Sequence, residues 1–254
     1  SADNITWAGT FTPTANTEDA SNTLSLATSY TDTAGNAGPA ATTANYAVET
    51  LAPSVNSFTL SDTALKAGDT ATVTLVFSEA VASFSSSADI TVANGTLAAM
   101  SSADNITWAG TFTPTANTED ASNTLSLATS YTDTAGNAGP AATTANYTVE
   151  TLAPTVNSVA ISSASGVQNS LLNAGDNVSV TATFSESVIV DNASGTPTLT
   201  LVVGSDNRTS TYTSGSGSTP LVFQYTIQAG ETDSDGISIG ANALTLNSGT
   251  IRDA

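Results

Sequence analysis

The sequence predicts an all-β protein made of antiparallel β-sandwiches, and three observations lead to that prediction. The chain of 254 residues contains 46 Thr and 34 Ser, and most Thr residues stand between apolar residues, where β-branching favours strands. Apolar residues make up 39% of the chain and alternate with polar ones, which is typical of half-buried strands rather than of disorder. A unit of about 100 residues also repeats, which is the size of one complete sandwich.

The repeat is nearly perfect over its best-matching part. Residues 1–57 and 102–158 have the same sequence at an offset of 101, apart from two positions. The differing pairs are Ala47/Thr148 and Ser54/Thr155. This length exceeds the unit of a solenoid, so each copy is expected to fold as a domain of its own.

A recurring linker sets the domain boundaries. The segment Val-Glu-Thr-Leu-Ala-Pro occurs at residues 48–53 and again at 149–154, and its Pro ends the preceding strand. We therefore predict the C-terminal half of a repeat at 1–50, a complete repeat at 51–151, and a diverged repeat at 152–254 that lacks its last strand. The chain is expected to be a window on a longer tandem array.

The diverged repeat is recognised by two short matches. Lys-Ala-Gly-Asp at residues 66–69 corresponds to Asn-Ala-Gly-Asp at 173–176. In each copy a strand-like run follows and ends in Phe-Ser-Glu, at residues 77–79 and 184–186 respectively. The shared order of turn, strand and acid indicates the same domain type.

Each predicted strand is a short run of alternating residues, and no helical period of 3.6 residues is evident. The complete repeat contains seven such runs, at 55–61, 70–77, 88–93, 96–101, 105–113, 123–131 and 144–150. The Asn94-Gly95 pair between the third and fourth runs is a strong hairpin signal. The diverged repeat contains six runs, near 156–162, 177–184, 197–203, 208–213, 220–228 and 237–246. Seven antiparallel strands in about 100 residues predict tandem immunoglobulin-like sandwiches arranged end to end.

Composition excludes several classes of function. With no Cys and no His, the chain can form no disulfide, no thiolate or imidazole metal site, and no Ser-His-Asp or Cys-His nucleophile. A net charge of -19, from 22 acidic and three basic residues, disfavours nucleic acid. No apolar run approaches the ~18 residues of a membrane span. We therefore expect no enzyme, no nucleic-acid partner and no membrane insertion, and a hard cation such as Ca²⁺ as ligand.

Strand parity brings several acidic residues to one end of the complete repeat. In a seven-strand domain the loops after strands two, four and six lie at the end where the linker enters. Those loops and the linker carry Glu49, Glu79, Asp104, Asp133 and Asn137. Carboxylates that converge without Lys or Arg repel each other, and Ca²⁺, which takes about six to eight oxygen ligands, relieves that repulsion. For the Asp133–Asn137 turn taken alone, ordinary turn chemistry is the preferred interpretation.

The same reasoning places a second acidic group at the far end, next to the following repeat. Asp69 and Asp120 belong to loops at that end, close to the linker acid Glu150. The junction with the diverged repeat then repeats the first pattern, with Glu150, Glu186 and Asp253 as its candidate calcium ligands.

A further calcium candidate lies within the diverged repeat. Glu231, Asp233 and Asp235 alternate with other residues and end at a Gly, like the start of a calcium-binding loop. The downstream acid of an EF-hand is missing, because Leu244 stands at that position. An acidic hairpin turn is the alternative interpretation.

Three motifs together resemble a known family. The Phe-Ser-Glu that follows a Gly-Asp strand, the Asp-x-Ala-Gly-Asn turn and the Val-Glu-Thr-Leu-Ala-Pro linker are similar to bacterial Ig-like repeats. Such repeats form the extender regions of giant Gram-negative surface adhesins, including RTX-type and biofilm-associated proteins.

The resemblance implies secretion to the cell surface, neighbouring repeats of the same polypeptide as partners, and a spacer role with calcium-rigidified linkers. It also implies two ligand sets at the junctions. These sets are Glu49, Glu79 and Asp133, then Glu150, Glu186 and Asp253. The linker acid is Glu here, where Asp is common in the family.

Two other functions remain open from the sequence. One is a binding module for glycans or for cell–cell adhesion, although the spacing of Trp7 and Trp108 among apolar residues favours core packing over sugar stacking. The other is a subunit of an extracellular filament that forms by self-association, because the half repeat offers strands and the diverged repeat lacks one.

Overall fold

The computed structural model describes residues 4–254. The chain divides into two compact units, the first ending at Leu152 and the second beginning at Ala153. Strands dominate both units, and within residues 4–254 all but one of the strand pairings are antiparallel. The predicted all-β sandwich class is therefore confirmed. No described helix is long and apolar enough to cross a membrane.

The first unit begins with the half repeat, our name for residues 1–50. Its strands are β1 (Glu18–Asn22), β2 (Ser25–Leu26), β3 (Ala41–Thr42) and β4 (Tyr46–Glu49). They form two separate pairs, β1 with β4 and β2 with β3. Residues 6–14 form no strand, although they repeat the sequence of a strand in the complete repeat.

The middle domain, our name for residues 51–151, is a two-sheet sandwich with one short helix, α1 (Ser86–Asp89). Its strands are β5 (Val55–Leu60), β6 (Ala64–Lys66), β7 (Ala71–Phe77), β8 (Ile90–Val92), β9 (Gly95–Leu97), β10 (Thr107–Pro114), β11 (Glu119–Asn123), β12 (Leu125–Leu127), β13 (Ala142–Thr143) and β14 (Tyr147–Glu150). One sheet has the order β5-β7-β10-β9. The other face is built from β13-β12-β8 and β11-β14-β6, in which β6 and β14 are parallel.

The core of the middle domain lies between these sheets. Alternate residues of β7 point inward, which the burial pattern of this strand shows directly. The largest fully buried side chains of the domain are Leu65, Val73, Leu75, Phe77, Phe112, Leu125, Tyr131 and Tyr147. Trp108 packs against this core with its ring 4.9 Å from that of Phe84, as expected from its apolar neighbours.

All seven predicted runs of the middle domain overlap observed strands, while the short strands β6 and β13 fall outside every run. Two further differences have physical causes. The third run begins as α1, because the Asp89 carboxylate accepts a hydrogen bond from the Ser85 backbone N–H at 2.7 Å and closes a helical turn. The sixth run starts earlier, at Glu119, and is interrupted at Asn123. The buried Asn123 amide donates to the Asp120 and Tyr147 carbonyls, where the pairing of β11 with β14 changes register.

The second unit is built around one long sheet. Its strands are β15 (Val156–Ser165), β16 (Asn177–Asp191), β17 (Thr198–Val203), β18 (Asp206–Ser214), β19 (Ser218–Thr226), β20 (Ser238–Thr245) and β21 (Thr250–Asp253). The order is β15-β16-β19-β18-β17-β20, and β21 pairs with the end of β16. The predicted run at 177–184 extends to Asp191, because β16 pairs first with β19 and then with β21. β16, β17 and β19 supply most of the core.

Candidate metal centre

The Asp133 loop is the most completely organised of the predicted ligand segments. Asp133 is buried, and its Oδ1 accepts hydrogen bonds from the backbone N–H groups of Ala135 at 2.8 Å and Asn137 at 2.9 Å. Its Oδ2 accepts from the Asn137 side-chain amide at 2.8 Å. Gly136 completes the turn with a φ of 95°, a conformation that favours glycine. The carboxylate is therefore held in place by its own loop.

This loop lies beside both the linker and the Glu79 turn. Asn137 donates its side-chain amide to the Leu51 carbonyl at 3.4 Å. Val81, two residues after Glu79, bridges Asp133 in antiparallel fashion. The linker acid Glu49 accepts a hydrogen bond from the Leu51 N–H at 2.7 Å. The predicted meeting of linker, second-strand loop and sixth-strand loop thus takes place within the first unit.

The charges of nearby acidic groups act on Glu79. Partial burial raises the pKa of Glu79, and the charges of Asp133, Glu49 and Glu18 raise it further. Burial also raises the pKa of Asp133, but the hydrogen bonds from Asn137 and its neighbours outweigh burial and leave that pKa below its ordinary value. Asp133 is therefore the fixed anion, and Glu79 is the group that carries the cost of repulsion.

The carboxylates of Glu49, Glu79 and Asp133 are neighbours, but they are not arranged around one position that a cation could occupy. Oxygen atoms of Glu49, Glu79 and Asp133 do not all come within 4.8 Å of one another. The donor set is nevertheless of the right kind for Ca²⁺, since it offers carboxylate oxygens and the Leu51 carbonyl. An ionised carboxylate has about four lone-pair sites, so the loop hydrogen bonds leave Asp133 able to bind a cation. Calcium there would require rotation of the two Glu side chains.

Asp104 is engaged within its own turn. Its Oδ1 accepts from the backbone N–H groups of Ile106 at 2.9 Å and Thr107 at 2.8 Å, and from the Ser102 hydroxyl at 2.9 Å. These hydrogen bonds lower its pKa, those from Thr107 and Ile106 most. The geometry assigns Asp104 a turn-forming role, and its ligation of calcium stays a prediction.

At the other end of the middle domain, Glu150 on β14 has Glu119 on one neighbouring strand and Lys66 on the other. It is the cross-strand partner of Glu119, and along the parallel pair of β14 and β6 it is level with Lys66. Its Oε1 accepts from the Leu152 N–H at 3.0 Å, the arrangement that Glu49 repeats in the first linker. Of its predicted neighbours, Asp69 accepts from the Lys66 N–H at 2.9 Å within its own turn. Asp120 lies on β11 rather than in a loop, and its carboxylate accepts from the Asn94 side-chain amide at 2.7 Å.

In the second unit, two predicted ligands lie together. A carboxylate oxygen of Glu186, on β16, and one of Asp253, on β21, lie within 4.8 Å of each other. Both residues are half-buried, and the antiparallel pairing of β16 with β21 holds them in place. The third predicted ligand, Glu150, belongs to the first unit, two residues before its end.

The acidic residues of the segment Glu231–Asp235 form contacts that stabilise the fold. The side chain of Glu231 is 5% exposed and forms an ion pair with Arg208. It also accepts a hydrogen bond from the Tyr225 hydroxyl at 2.5 Å and one from the Gln228 N–H at 2.8 Å. Asp233 Oδ1 accepts from the Gly236 N–H at 2.8 Å and closes the turn. Carboxylate oxygens of these three acids do not gather within 4.8 Å, which favours the alternative of an acidic turn.

Sequence reasoning missed two contributors to these sites. Glu18 adds to the negative charge around Glu79, and the offset of 101 could have indicated it, since Glu18 corresponds to Glu119 and pairs with Glu49. Arg208 forms an ion pair with Glu231. No sequence feature indicated this pair, because the two residues are 23 positions apart.

Comparison with known proteins identifies the domain type. A family model described as a bacterial Ig-like domain matches residues 1–48 and 49–149. Comparison with curated proteins gives no match, and comparison with solved structures gives none either.

Proposed function

The chain belongs to the bacterial Ig-like domain family, and on that basis we propose that it is a calcium-stiffened spacer segment of an extracellular bacterial adhesin. One observation carries the proposal: the Asp133 loop lies against both the linker, through Asn137 and Leu51, and the turn that carries Glu79, through the bridge to Val81. Nearly identical copies fit a spacer, which needs length rather than a unique surface. Extracellular calcium modules commonly bind with dissociation constants of about 10⁻⁴–10⁻³ M.

The mechanism follows from charge. With no cation, repulsion between Glu49, Glu79 and Asp133 opposes a fixed position of the linker against the loops. Glu49, Glu79 and Asp133 would hold a Ca²⁺ ion through their carboxylate oxygens, and its positive charge would remove their repulsion and fix the linker to the domain that follows it. The same role at the next junction belongs to Glu150 with Glu186 and Asp253. The pair of carboxylates on β16 and β21 supports this second site.

Small-angle scattering of the intact chain tests the spacer role. We expect the maximum dimension and the radius of gyration to rise when millimolar Ca²⁺ replaces chelator, because flexible linkers sample compact arrangements and fixed ones do not. Mg²⁺ at the same concentration serves as control, since it demands a stricter octahedral geometry. The variant Glu79→Gln with Glu186→Gln should show no change with Ca²⁺. Identical scattering of the unaltered chain in chelator and in Ca²⁺ would reject stiffening.

A further inference from the structure

We propose that Asn94 is a deamidation site that the closed middle domain protects. Its conversion to Asp or isoaspartate takes place when the domain opens, and it then weakens the domain permanently. Asn-Gly is the dipeptide most prone to this reaction, because a following Gly leaves the backbone nitrogen unhindered. Asn94-Gly95 is the one Asn-Gly pair of the sequence, and it joins β8 in one sheet to β9 in the other.

The fold favours Asn at position 94 for two reasons. Its φ is 46°, in the left-handed region that Asn tolerates better than most residues. Its side-chain Nδ2 donates hydrogen bonds to the Asp120 carboxylate at 2.7 Å and to Asn123 Oδ1 at 2.7 Å. Both amide hydrogens are therefore used, and they connect the segment between β8 and β9 to strand β11.

The fold also favours Gly at position 95. A Cβ atom there would lie 2.1 Å from Phe112 Cζ and 2.8 Å from the Thr113 carbonyl oxygen. Phe112 is fully buried in the core, and both residues belong to β10, which pairs with β9. Neither group can move aside without disturbing a close-packed region. The packing of the middle domain thus maintains a chemically labile dipeptide at this position.

The reaction consumes only water. The Gly95 backbone nitrogen loses its proton to a base in the solvent and forms a bond to Asn94 Cγ. The bond between Cγ and Nδ2 breaks, and this nitrogen takes up a proton and leaves as ammonia. Water then opens the succinimide ring at either of its carbonyl carbons, which gives Asp or isoaspartate.

In the closed domain, the contacts of Asn94 oppose this reaction. Two hydrogen bonds hold the leaving nitrogen in place, and the negative charge that develops on attack is disfavoured by the neighbouring Asp120 carboxylate. The main chain is held as well, since the Asn94 carbonyl accepts from the Thr115 N–H at 2.9 Å and the Ala93 carbonyl from the Tyr147 hydroxyl. We therefore expect reaction only after local opening.

Conversion removes the interactions that Asn94 supplies. An ionised Asp side chain has no hydrogen to donate, and one of its oxygens would replace Nδ2 at 2.7 Å from the Asp120 carboxylate. Asn123 cannot compensate by turning its amide, because that amide already donates to the Asp120 and Tyr147 carbonyls. Repulsion would thus replace two hydrogen bonds, and isoaspartate would also lengthen the main chain by one atom.

A comparison of deamidation rates tests the protection. Peptide mapping by mass spectrometry follows Asn94 in the unaltered chain at pH 8, in buffer and in concentrated urea. A synthetic peptide of residues 90–98 gives the intrinsic rate in both solutions. We expect the chain to react at least about tenfold more slowly than the peptide in buffer, and as fast as the peptide in urea. Equal rates of chain and peptide in buffer would overturn the proposal.

Variants that imitate the product test the consequence. Asn94→Asp should lower the melting temperature of the middle domain by at least ~4 °C. Adding Asp120→Asn exchanges donor and acceptor, so at least half of this fall should be recovered. Adding Asp19→Asn instead, at the matching position of the half repeat, removes the same charge and should recover none.

This comparison remains decisive if Asn94→Asp alone does not fold, because Asp120→Asn should then restore folding and Asp19→Asn should not. An unchanged melting temperature in Asn94→Asp would contradict the proposal. Equal effects of the two second substitutions would contradict it as well.

Discussion

At the scale of single residues, the same side chain acts differently in its two copies. Asp32 and Asp133 make matching hydrogen bonds to their own loops, yet Asp32 is exposed and Asp133 is buried. Loss of a hydrogen bond destabilises the fold more when the groups that form it are buried. The two copies thus provide an internal control for every residue of the loop.

Replacement of Asp133 by Ala should lower the free energy of unfolding of the middle domain by about 1–3 kcal/mol, because buried N–H groups lose their acceptor. Asp32→Ala should change it by less than ~0.5 kcal/mol. Urea denaturation followed by Trp108 fluorescence, in a Trp7→Phe background, measures both. Equal losses for the two variants would show that burial does not distinguish them.

Glu79→Gln tests the repulsion at the linker. Because the folded-state pKa of Glu79 is raised, its ionised form destabilises the fold, and this cost is absent in acid and appears as pH rises through that pKa. In chelator at pH 7 the variant should therefore be more stable, by roughly 0.5 kcal/mol. The gain should vanish below the ordinary Glu pKa of about 4.3.

The sign of the Glu79→Gln effect should change in millimolar Ca²⁺, where a ligand rather than a source of repulsion is lost. Thermal melts of both proteins at pH 7 and pH 4, with and without Ca²⁺, separate the two contributions. A variant that is less stable in chelator at pH 7 would contradict the assignment of Glu79 as the strained acid.

At the scale of elements, a strand of this fold forms only where it has a partner. Residues 107–114 are strand β10 between β7 and β9, whereas residues 6–13, which have the same sequence, form no strand. The sequence pattern alone predicts strands equally well in both places. Each of the seven runs found by local periodicity overlaps a strand of the middle domain, but periodicity did not reveal the short strands β6 and β13. It also could not reveal α1 or the break at Asn123, which arise from side-chain hydrogen bonds.

Leu125→Ala should therefore destabilise the middle domain by about 2–5 kcal/mol, the usual loss for a buried Leu. The same change at Leu24 should cost less than ~1 kcal/mol, since its side chain already meets solvent. Urea midpoints followed by Trp108 fluorescence compare the two. A cost at position 24 as large as that at 125 would mean that the half repeat has its own packed core in solution.

In the second unit, the ion pair between β18 and the turn after β19 should contribute measurably to stability. Glu231→Gln removes the charge that Arg208 faces and weakens the bonds from Tyr225 and Gln228, so we expect a loss of about 1–3 kcal/mol in the free energy of unfolding. Asp235→Asn, in the same turn but exposed, should change it by less than ~0.5 kcal/mol. Calorimetry of the second unit's transition checks both, and equal effects would contradict a structural role for Glu231.

At the scale of the whole molecule, the repeat and the linker were readable from sequence, and so were the acids that strand parity places at the linker. Parity works because antiparallel strands return their loops to the same two ends. It could not show that Asp104 would be engaged by its own turn, that Asp120 would accept from Asn94, or that Arg208 would reach Glu231. Those outcomes depend on side-chain contacts that neither spacing nor composition specifies.

The central claim is that calcium binds the folded chain at its linkers, and a thermal melt in chelator against millimolar Ca²⁺ tests it most directly. A ligand that binds only the folded state at 100 times its Kd stabilises by about 2.7 kcal/mol, which corresponds to a rise of several degrees for domains of this size. We expect that rise with Ca²⁺, little with Mg²⁺, and none in the variant with Glu79→Gln and Glu186→Gln. Identical melting temperatures in chelator and Ca²⁺ would contradict the account and leave the acids as turn residues and surface charge.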